Sequence, residues 1–379
     1  MKFNIEKREI AALTSLVHRA ASNKNTIPIL SGLLIKISHD KGLTMTATDM
    51  EIGIEASTSN VDVVEEGKIL VNANYFYDFI KLLPDALISL ELNRETSKIN
   101  ISYGRSSSKI NIYQDRDYPD LPINKMDYRF SIPQEKLKEG LKKTSFAAAA
   151  SHFRQVFTGV LFDIMDDGVL KIVASDTHRL AYYTYTLDKT DIEPFKFVIP
   201  IRTVNELLRF LEDSQDNIEI AISENNVVFY KDNFILLSRL IEGQYPNYET
   251  VIPASFSTEL NIKTGILASS LERAKIMPTD DKFQIQHVQL TLDNDEVHLN
   301  SISESMGEIS EVIDDMEIQG EREIKIAFNT QYFLDAIKII ENESETVNIK
   351  LSGSLSPALI KNPEKENYLY ILVPMRTNN

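Results

Sequence analysis

The chain has 379 residues, of which 43% are hydrophobic and 25% charged, with a net charge of −16 and no cysteine. This composition predicts an ordinary globular protein of two or three domains. The lack of cysteine excludes disulfides, thiolate metal sites and cysteine nucleophiles. The sequence has neither an apolar leader nor an apolar run of 18 residues, so we expect a cytoplasmic protein without a membrane span.

Strands and helices are predicted to alternate along the whole chain. Hydrophobic periods of two residues predict strands, the clearest being Leu33–Ser38, Lys98–Tyr103, Lys109–Tyr113, Asn226–Tyr230, Ile235–Leu240 and Tyr368–Pro374. Apolar residues spaced at i, i+3, i+4 predict helices at Lys7–Ala21, Tyr75–Leu83, Gln134–Ala149, Thr203–Glu212, Lys263–Met277 and Thr330–Glu341. The order of strand, helix and several strands predicts an α+β fold with antiparallel sheets and helices on one face.

This pattern occurs three times, at a spacing of about 127 residues. In the repeated strand-plus-helix unit, Phe76, Val204 and Phe333 coincide, and a strand that ends in a polar turn repeats from Asp49 to Asp176. A period of this length matches a small domain rather than a solenoid unit. We therefore predict three similar domains, at residues 1–127, 128–253 and 254–379.

The acidic net charge taken alone argues against a nucleic acid partner. However, the repeats place Lys81, Arg209 and Lys338 at one shared position. For any single lysine, a solvated helix face is the simpler interpretation. The recurrence favours a basic surface that the repeats share, with the acidic residues elsewhere.

The sequence contains no P-loop, no G-x-S-x-G elbow and no zinc-binding histidine spacing. Its most site-like stretch is Ser175-Asp176-Thr177-His178-Arg179, which suggests a hydrolytic triad. The equivalent stretch of the first repeat, Thr48–Glu51, has no histidine. A turn between two strands is therefore the favoured interpretation, and a hydrolase at Asp176 and His178 is kept as a rival hypothesis.

Several stretches together resemble the bacterial DNA polymerase III beta subunit family, the beta sliding clamps, over the whole chain. The matching stretches are MKFNIEK at the start, Thr26–Gly32, Ala174–Ala181, Glu242–Tyr248 and Val373–Arg376. The resemblance implies a three-domain DNA clamp fold in which each domain has two similar halves. Two copies would form a head-to-tail ring, with two helices of each domain lining the hole and antiparallel sheets outside.

The function implied by this resemblance is that of a non-enzymatic processivity factor without a cofactor or metal. The ring would encircle duplex DNA of any sequence and tether replicative and repair DNA polymerases to the template, after an ATP-driven clamp loader has opened it. Encirclement explains how a protein of net charge −16 acts on DNA, because topological retention needs little phosphate neutralisation. We expect such a protein in the bacterial cytoplasm, associated with the nucleoid.

The resemblance also implies a pocket for short clamp-binding peptides between the second and third domains. An apolar groove with a few fixed polar groups suits an extended peptide. Carried over by position, the pocket comprises Phe157, Ser175, Thr177, His178, Arg179, Leu180, Pro246, Val251, Asn329, Tyr332, Leu355, Pro357, Leu372, Val373, Pro374, Met375 and Arg376. In this assignment Arg179 and Arg376 supply polar contacts at the rim.

Two further residue sets follow from the resemblance. The implied dimer interface comprises Arg105, Ser108, Ile110, Ile276, Met277 and Glu304, and the implied DNA contacts, with the recurrent basic positions, comprise Lys24, Lys81, Arg154, Arg202 and Arg209. Ser108 stands where the family often has an aromatic residue, and Asn74 and Tyr75 stand where it is often basic. These departures leave two alternatives open: a secondary clamp paralogue, and a peptide-binding scaffold that never encircles DNA.

Overall fold

In this computed structural model, residues 1–22, 27–114, 117–123, 126–188, 193–278, 286–293, 296–303 and 305–376 are described, and they form six α-helices and four antiparallel sheets. The predicted α+β class and the antiparallel sheets are thereby confirmed. The helices are α1 (Lys7–Val17), α2 (Ala73–Leu82), α3 (Gln134–Thr144), α4 (Ile201–Phe210), α5 (Thr264–Ala274) and α6 (Thr330–Glu341).

The helices begin within two residues of the predicted positions and differ mainly at their C-terminal ends. The predicted helices continue beyond α1 and α3 as single 3₁₀ turns, His18–Ala20 and Ser145–Ala147. Tightening of the last helical turn into 3₁₀ geometry is common. The first turns of α2 and α6 are capped in the same way, since the side chains of Asn72 and Asn329 accept hydrogen bonds from main-chain N–H groups three residues on.

The strands are short and lie close to the predicted positions. In chain order they are β1 (Lys2–Glu6), β2 (Gly32–Ser38), β3 (Gly42–Thr48), β4 (Ile52–Thr58), β5 (Asp62–Glu65), β6 (Gly67–Asn72), β7 (Leu87–Asn93), β8 (Lys98–Tyr103), β9 (Ser106–Asn111), β10 (Tyr128–Pro133), β11 (Gly159–Ile164), β12 (Val169–Ser175), β13 (Arg179–Thr186), β14 (Phe195–Pro200), β15 (Asn217–Ile222), β16 (Asn226–Lys231), β17 (Phe234–Arg239), β18 (Thr258–Lys263), β19 (His287–Asp293), β20 (Glu296–Ser303), β21 (Gly307–Ile313), β22 (Met316–Gly320), β23 (Glu323–Asn329), β24 (Thr346–Leu351), β25 (Ala358–Lys361) and β26 (Tyr368–Leu372).

Two of the sheets combine strands from neighbouring repeats. The eight-stranded sheet has the order β10-β15-β16-β17-β4-β3-β2-β6, and the nine-stranded sheet has the order β14-β11-β12-β13-β26-β25-β24-β18-β22. The repeats meet where Leu237 of β17 lies opposite Gly53 of β4 and where Leu180 of β13 lies opposite Ile371 of β26. The two smaller sheets have the orders β5-β1-β7-β8-β9 and β21-β20-β19-β23.

Contacts divide the chain into two compact units. The first comprises Met1–Gln134 and Ser214–Leu240 and holds the eight-stranded and five-stranded sheets; the second comprises Glu135–Asp213 and Ile241–Asn379 and holds the other two. In the first unit, α1 packs on β3 and β4 and against α2. In the second unit, α4 packs on β11 and β14, while α5 and α6 pack together over β18, β23 and β24.

The cores lie between helices and sheets. The apolar faces of α2 and α6 repeat each other, because Phe76 and Ile80 in the first correspond to Phe333 and Ile337 in the second, and all four are fully buried. Burial of side chains of this size contributes about 1.5–3 kcal/mol each. The repeated register found in the sequence is thus the register of the buried helix faces.

Candidate functional site

The Ser175–Arg179 stretch is a tight turn between β12 and β13. Asp176 Oδ1 accepts hydrogen bonds from the main-chain N–H groups of His178 and Arg179, both at 3.0 Å, and Ser175 Oγ donates to the carbonyl of Arg179 at 2.7 Å. Thr177 has a φ of 76°, and Met50 in the equivalent turn of the first repeat has a φ of 74°. The turn interpretation is confirmed. The Asp176 carboxylate is occupied by its own turn and is not directed at a histidine ring, as a triad requires.

An apolar groove of about 170 Å³ opens beside this turn within the second unit. Eight of its lining residues belong to the predicted pocket: Phe157, Ser175, Thr177, Arg179, Leu180, Pro246, Val251 and Val373. Four further lining residues are not among those predicted: Tyr245, Asn247, Tyr248 and Ile371. One sequence signal points to the first three, because the Tyr-Pro motif at residue 245 repeats one at residue 118. Ile371 is found only from the structure, in which it faces Leu180 across the junction.

Aromatic rings form one wall of the groove. The rings of Phe157 and Tyr245 meet edge to face with centroids 5.6 Å apart, and His152 packs against Phe157 at 4.8 Å. Burial raises the pKa of Tyr245 well above that of a free tyrosine, so its hydroxyl stays protonated at neutral pH. The wall therefore offers rigid, uncharged surface to a ligand.

The guanidinium of Arg179 is held inside the protein. It donates to Asp176 at 3.0 Å, to Asp335 at 2.7 Å and to the carbonyl of Phe146 at 2.6 Å, and it stacks over the ring of Tyr332 at 3.9 Å. The residue is only 9% exposed. Arg179 lines the groove, but its guanidinium is bound to groups of the chain itself, and the predicted polar rim contact from its charge is not seen in this arrangement.

The other predicted pocket residues surround the groove or support it. Asn329 caps α6, Tyr332 lies beneath Arg179, and the carbonyl of His178 accepts a hydrogen bond from Val373 N at 3.0 Å. Met375 N donates to Ala327 O at 2.7 Å, which fixes the segment after β26. Leu372 is fully buried, Pro357 and Pro374 are half-buried, and Leu355 and Arg376 are exposed.

The recurrent basic residues Lys81, Arg209 and Lys338 each lie in the last turn of a helix, α2, α4 and α6 respectively. Lys81 is exposed, Arg209 lies 3.7 Å from Glu206, and Lys338 is 2.8 Å from both Glu272 and Glu341. Hydrogen bonding to Glu272 raises the pKa of Lys338. Acidic neighbours therefore attenuate the positive field at two of the three positions.

The remaining predicted DNA contacts differ in their surroundings. Arg154 is exposed and lies over the ring of Phe153 at 5.8 Å, and Arg202 is half-buried at the start of α4. Lys24 lies outside the described residues. In α3, Lys143 is only 3% exposed and is bound by Glu139 and Glu343, at 2.7 and 2.8 Å.

The predicted dimer residues lie near two edge strands, β9 of the five-stranded sheet and β21 of the four-stranded sheet. Arg105 is exposed beside β9, and Ser108 is half-buried on it. Ile110 and Met277 are buried within the chain, whereas Ile276 is 78% exposed. Glu304 lies outside the described residues. The structure adds three exposed apolar side chains that sequence reasoning missed: Ile302, Met306 and Val312.

Neither a metal site nor a membrane span is found in the described parts of the chain. No group of three or more His, Asp or Glu side chains among the described residues is arranged to hold a metal ion. The described helices are also too short, or insufficiently apolar, to cross a membrane.

Comparison with known proteins gives one consistent family. The DNA polymerase III beta subunit families match in three parts: the N-terminal domain at residues 1–122, the central domain at 131–247 and the C-terminal domain at 249–376. The beta sliding clamp of Halalkalibacterium halodurans is 32% identical over 386 residues, covering 100% of both chains.

Solved structures agree with the sequence comparison. A DNA polymerase sliding clamp from Bacillus subtilis has a TM-score of 0.93 at 30% identity, covering 100% of this chain and 99% of its own. A sliding clamp from Pseudomonas aeruginosa, solved bound to griselimycin, has a TM-score of 0.91 at 27% identity, covering 100% of both chains.

Proposed function

The chain belongs to the DNA polymerase III beta subunit family, the beta sliding clamps, and we propose that two copies of it close head to tail into a ring around duplex DNA. The ring tethers a DNA polymerase to its template during replication and repair. Three similar domains, bordered near residues 127 and 253, form each half of the ring. The observation that carries this proposal is the way in which the sheets join neighbouring repeats.

Both joints within the chain follow one rule. The last strand of a repeat's second half pairs with the fourth strand of the preceding repeat's first half, as β17 pairs with β4 and β26 with β13. Applied once more, the rule joins β9 to β21. Both of these strands are edges, which leaves their main-chain hydrogen-bonding groups available to another strand. Pairing β9 of one copy with β21 of a second copy gives a joint of the same kind.

The internal joints also predict the register of this intermolecular joint. The hairpins β8-β9 and β16-β17 both close over two residues, so Lys109 occupies the position of Leu237. The hairpins β3-β4 and β20-β21 also correspond to each other, and their pairings give Glu308 in β21 the position that Gly53 has in β4. Because Leu237 lies opposite Gly53, Lys109 of one copy faces Glu308 of the other, and Ser107 faces Ser310. Opposite charges at such facing positions stabilise a pair of strands.

Apolar contacts add to these strand contacts. Ile276 and Met306 are 78% and 73% exposed, and both belong to the region around β21. Such side chains are what an interface between subunits covers. Glu311 on β21 is already paired within its own chain, because Arg273 donates to it at 2.6 Å.

In the ring, the helices face the DNA and the basic residues at their C-terminal turns approach the phosphates. The partial neutralisation of Arg209 and Lys338 suits a clamp that must slide, since every strong phosphate contact resists movement. No base reading is required. We expect the protein in the cytoplasm at the nucleoid, loaded by an ATP-driven loader, without a cofactor or turnover of its own.

The groove beside β13 is the proposed binding site for short peptides of polymerases and other partners. It is apolar, it has an aromatic wall, and it is bordered by fixed main-chain groups, which together suit an extended peptide. The structure of the Pseudomonas aeruginosa clamp bound to griselimycin supports the presence of a ligand site in this family. The hydrolase rival receives no support from the occupied Asp176 carboxylate.

Cysteine cross-linking tests the ring. The chain contains no cysteine, so a Ser107→Cys, Ser310→Cys variant has thiols at the two facing positions only. Oxidation is expected to give covalent dimers. The matched control is Ser102→Cys with Ser310→Cys, because Ser102 lies opposite Ser107 on β8 and is therefore one strand further from the joint. Monomers after oxidation of the first variant, or equal cross-linking of both, would refute the proposed joint.

A further inference from the structure

The two internal joints of the chain are equivalent, yet the groove opens beside the second. At the first joint, Leu121 lies over Gly53, and a Cβ atom added to Gly53 would come within 2.4 Å of a Leu121 methyl carbon. Gly53 corresponds to Leu180 at the second joint, and Leu121 corresponds to Tyr248, each 127 residues later. The place of the groove at the first joint is thus covered by the chain's own leucine.

At the second joint, the hydroxyl of Tyr248 is bound to an acidic residue. Its hydroxyl donates to Asp163 Oδ2 at 2.7 Å, and Lys196 Nζ lies 2.8 Å from the same oxygen. Asp163 is on β11 and is only 1% exposed. The corresponding residue of the first repeat is Lys36, which is exposed, so the first joint has no acid at this position.

Burial of the Asp163 carboxylate is unfavourable for the free energy of folding. Its second carboxylate oxygen, Oδ1, is buried and has no hydrogen-bond partner within the described part of the chain. A buried, partly satisfied carboxylate disfavours folding relative to an apolar residue of similar size. Stability therefore does not account for it, whereas the fixed position of the Tyr248 ring does.

We infer that Asp163 is a positioning residue, which holds the ring of Tyr248 at the side of the peptide groove and keeps the groove open for a partner peptide. The inference rests on the proposed function of the groove. Tyr248 packs in the same cluster as Leu180 and Ile371, so a released ring reaches the groove by rotation of its side chain. A cavity of about 150 Å³ holds a benzene ring, and the groove measures about 170 Å³.

Loss of the hydrogen bond between Tyr248 and Asp163 is expected to shift the population from molecules with an open groove to molecules with a covered groove. The hydrogen bond from the Tyr248 hydroxyl to the Asp163 carboxylate is charge-assisted and therefore stronger than one between neutral groups. Its loss is expected to make the covered state the major one and to weaken ligand binding about tenfold, since the apparent affinity falls with the open fraction. Ligand contacts with the groove wall stay the same in the open state.

The test uses griselimycin as probe and isothermal titration with the full-length protein. Tyr248→Phe removes the hydroxyl alone and is expected to weaken binding about tenfold. The matched control is Tyr182→Phe, because Tyr182 packs 6.0 Å from Tyr248 and does not line the groove. Its affinity is expected to equal that of the wild type. Equal affinities for wild type and Tyr248→Phe would overturn the inference while leaving the groove assignment intact.

Two replacements of Asp163 separate positioning from stability. Asp163→Asn keeps an acceptor for the Tyr248 hydroxyl and is expected to keep binding within about twofold of wild type. Asp163→Leu removes the acceptor and is expected to lower affinity about tenfold without a lower unfolding midpoint. Parallel loss of stability and affinity in Asp163→Leu would mean a structural role only. Failure of the wild type to bind griselimycin would overturn the groove assignment and the inference together.

Discussion

The guanidinium of Arg179 donates to the carboxylate of Asp335 at 2.7 Å and so connects the start of β13 to α6. The same group donates to the carbonyl of Phe146, which lies in the 3₁₀ turn after α3. Three elements of the second unit are therefore held together by one side chain, which also lines the groove. The charge of Arg179 is thus held inside the protein, although the sequence predicts it at the rim of the groove.

Replacement of Arg179 is expected to destabilise the second unit. Arg179→Ala leaves Asp176 and Asp335 without their cation, and breaking a buried ion pair of this kind costs about 3–5 kcal/mol. Urea unfolding measures the loss. Arg154→Ala is the matched control, because Arg154 is exposed, and it is expected to change stability by less than about 0.5 kcal/mol. A similar small effect at Arg179 would show that its partners do not depend on it.

Charge reversal is expected to open the ring. Lys109→Glu places a glutamate opposite Glu308 at both joints of the ring, and like charges at facing positions destabilise strand pairing. Light scattering at low protein concentration is expected to show a larger monomer fraction. Adding Glu308→Lys restores opposite charges and is expected to restore the dimer. A double variant as monomeric as Lys109→Glu would contradict the predicted register.

Neutralising the acids around Lys338 is expected to strengthen DNA contact. Glu272 and Glu341 both lie 2.8 Å from Lys338 Nζ. Glu272→Gln with Glu341→Gln frees the ammonium group, which is expected to raise DNA affinity and to steepen its salt dependence by about one unit. Fluorescence anisotropy between low and moderate salt measures both. Glu364→Gln with Glu366→Gln changes the net charge equally at exposed positions, so an equal effect there would indicate a general charge effect.

Tyr118 is expected to make stability depend on alkaline pH. Burial raises the pKa of Tyr118 to about 12. Its hydroxyl accepts a hydrogen bond from Thr48 N and donates one to Gly32 O, both at 3.1 Å. The folded pKa lies above the unfolded value of about 10. Its contribution is therefore complete below pH 10 and is lost between about pH 10 and 12, at up to about 1.4 kcal/mol per pH unit.

Comparison of wild type with Tyr118→Phe isolates this contribution. The free energy of unfolding of Tyr118→Phe is expected to be lower at neutral pH but to fall less steeply above pH 10. Tyr75→Phe serves as control, because Tyr75 is 59% exposed, and it is expected to follow the wild type. Parallel curves for wild type and Tyr118→Phe would contradict the assignment.

The sequence predicts well what depends on periodicity and poorly what depends on distant partners. The helix α6 has the predicted bounds, Thr330–Glu341, because its buried residues recur every three to four positions. The turn at Asp176 is predicted because its equivalent recurs one repeat earlier.

The sequence does not predict that Arg179 is paired inside the protein or that Lys143 is buried. Their partners Asp335 and Glu343 are 156 and 200 residues away along the chain. The hydrogen bond from Tyr248 to Asp163 is not predicted from the sequence for the same reason. The pattern of apolar residues carries no information on which charged groups meet. The resemblance to the family indicated the residues of the groove. Only the three-dimensional arrangement shows which of these residues have a free surface.

Retention on DNA circles tests encirclement most directly. The protein is loaded by the clamp loader onto nicked circular DNA, and retention is measured before and after the circle is cut once. We expect stable retention on the circle and rapid loss from the cut ends, because a closed ring slides off linear DNA. Equal retention on both forms, or none on either, would contradict encirclement and leave the groove as part of a peptide-binding scaffold.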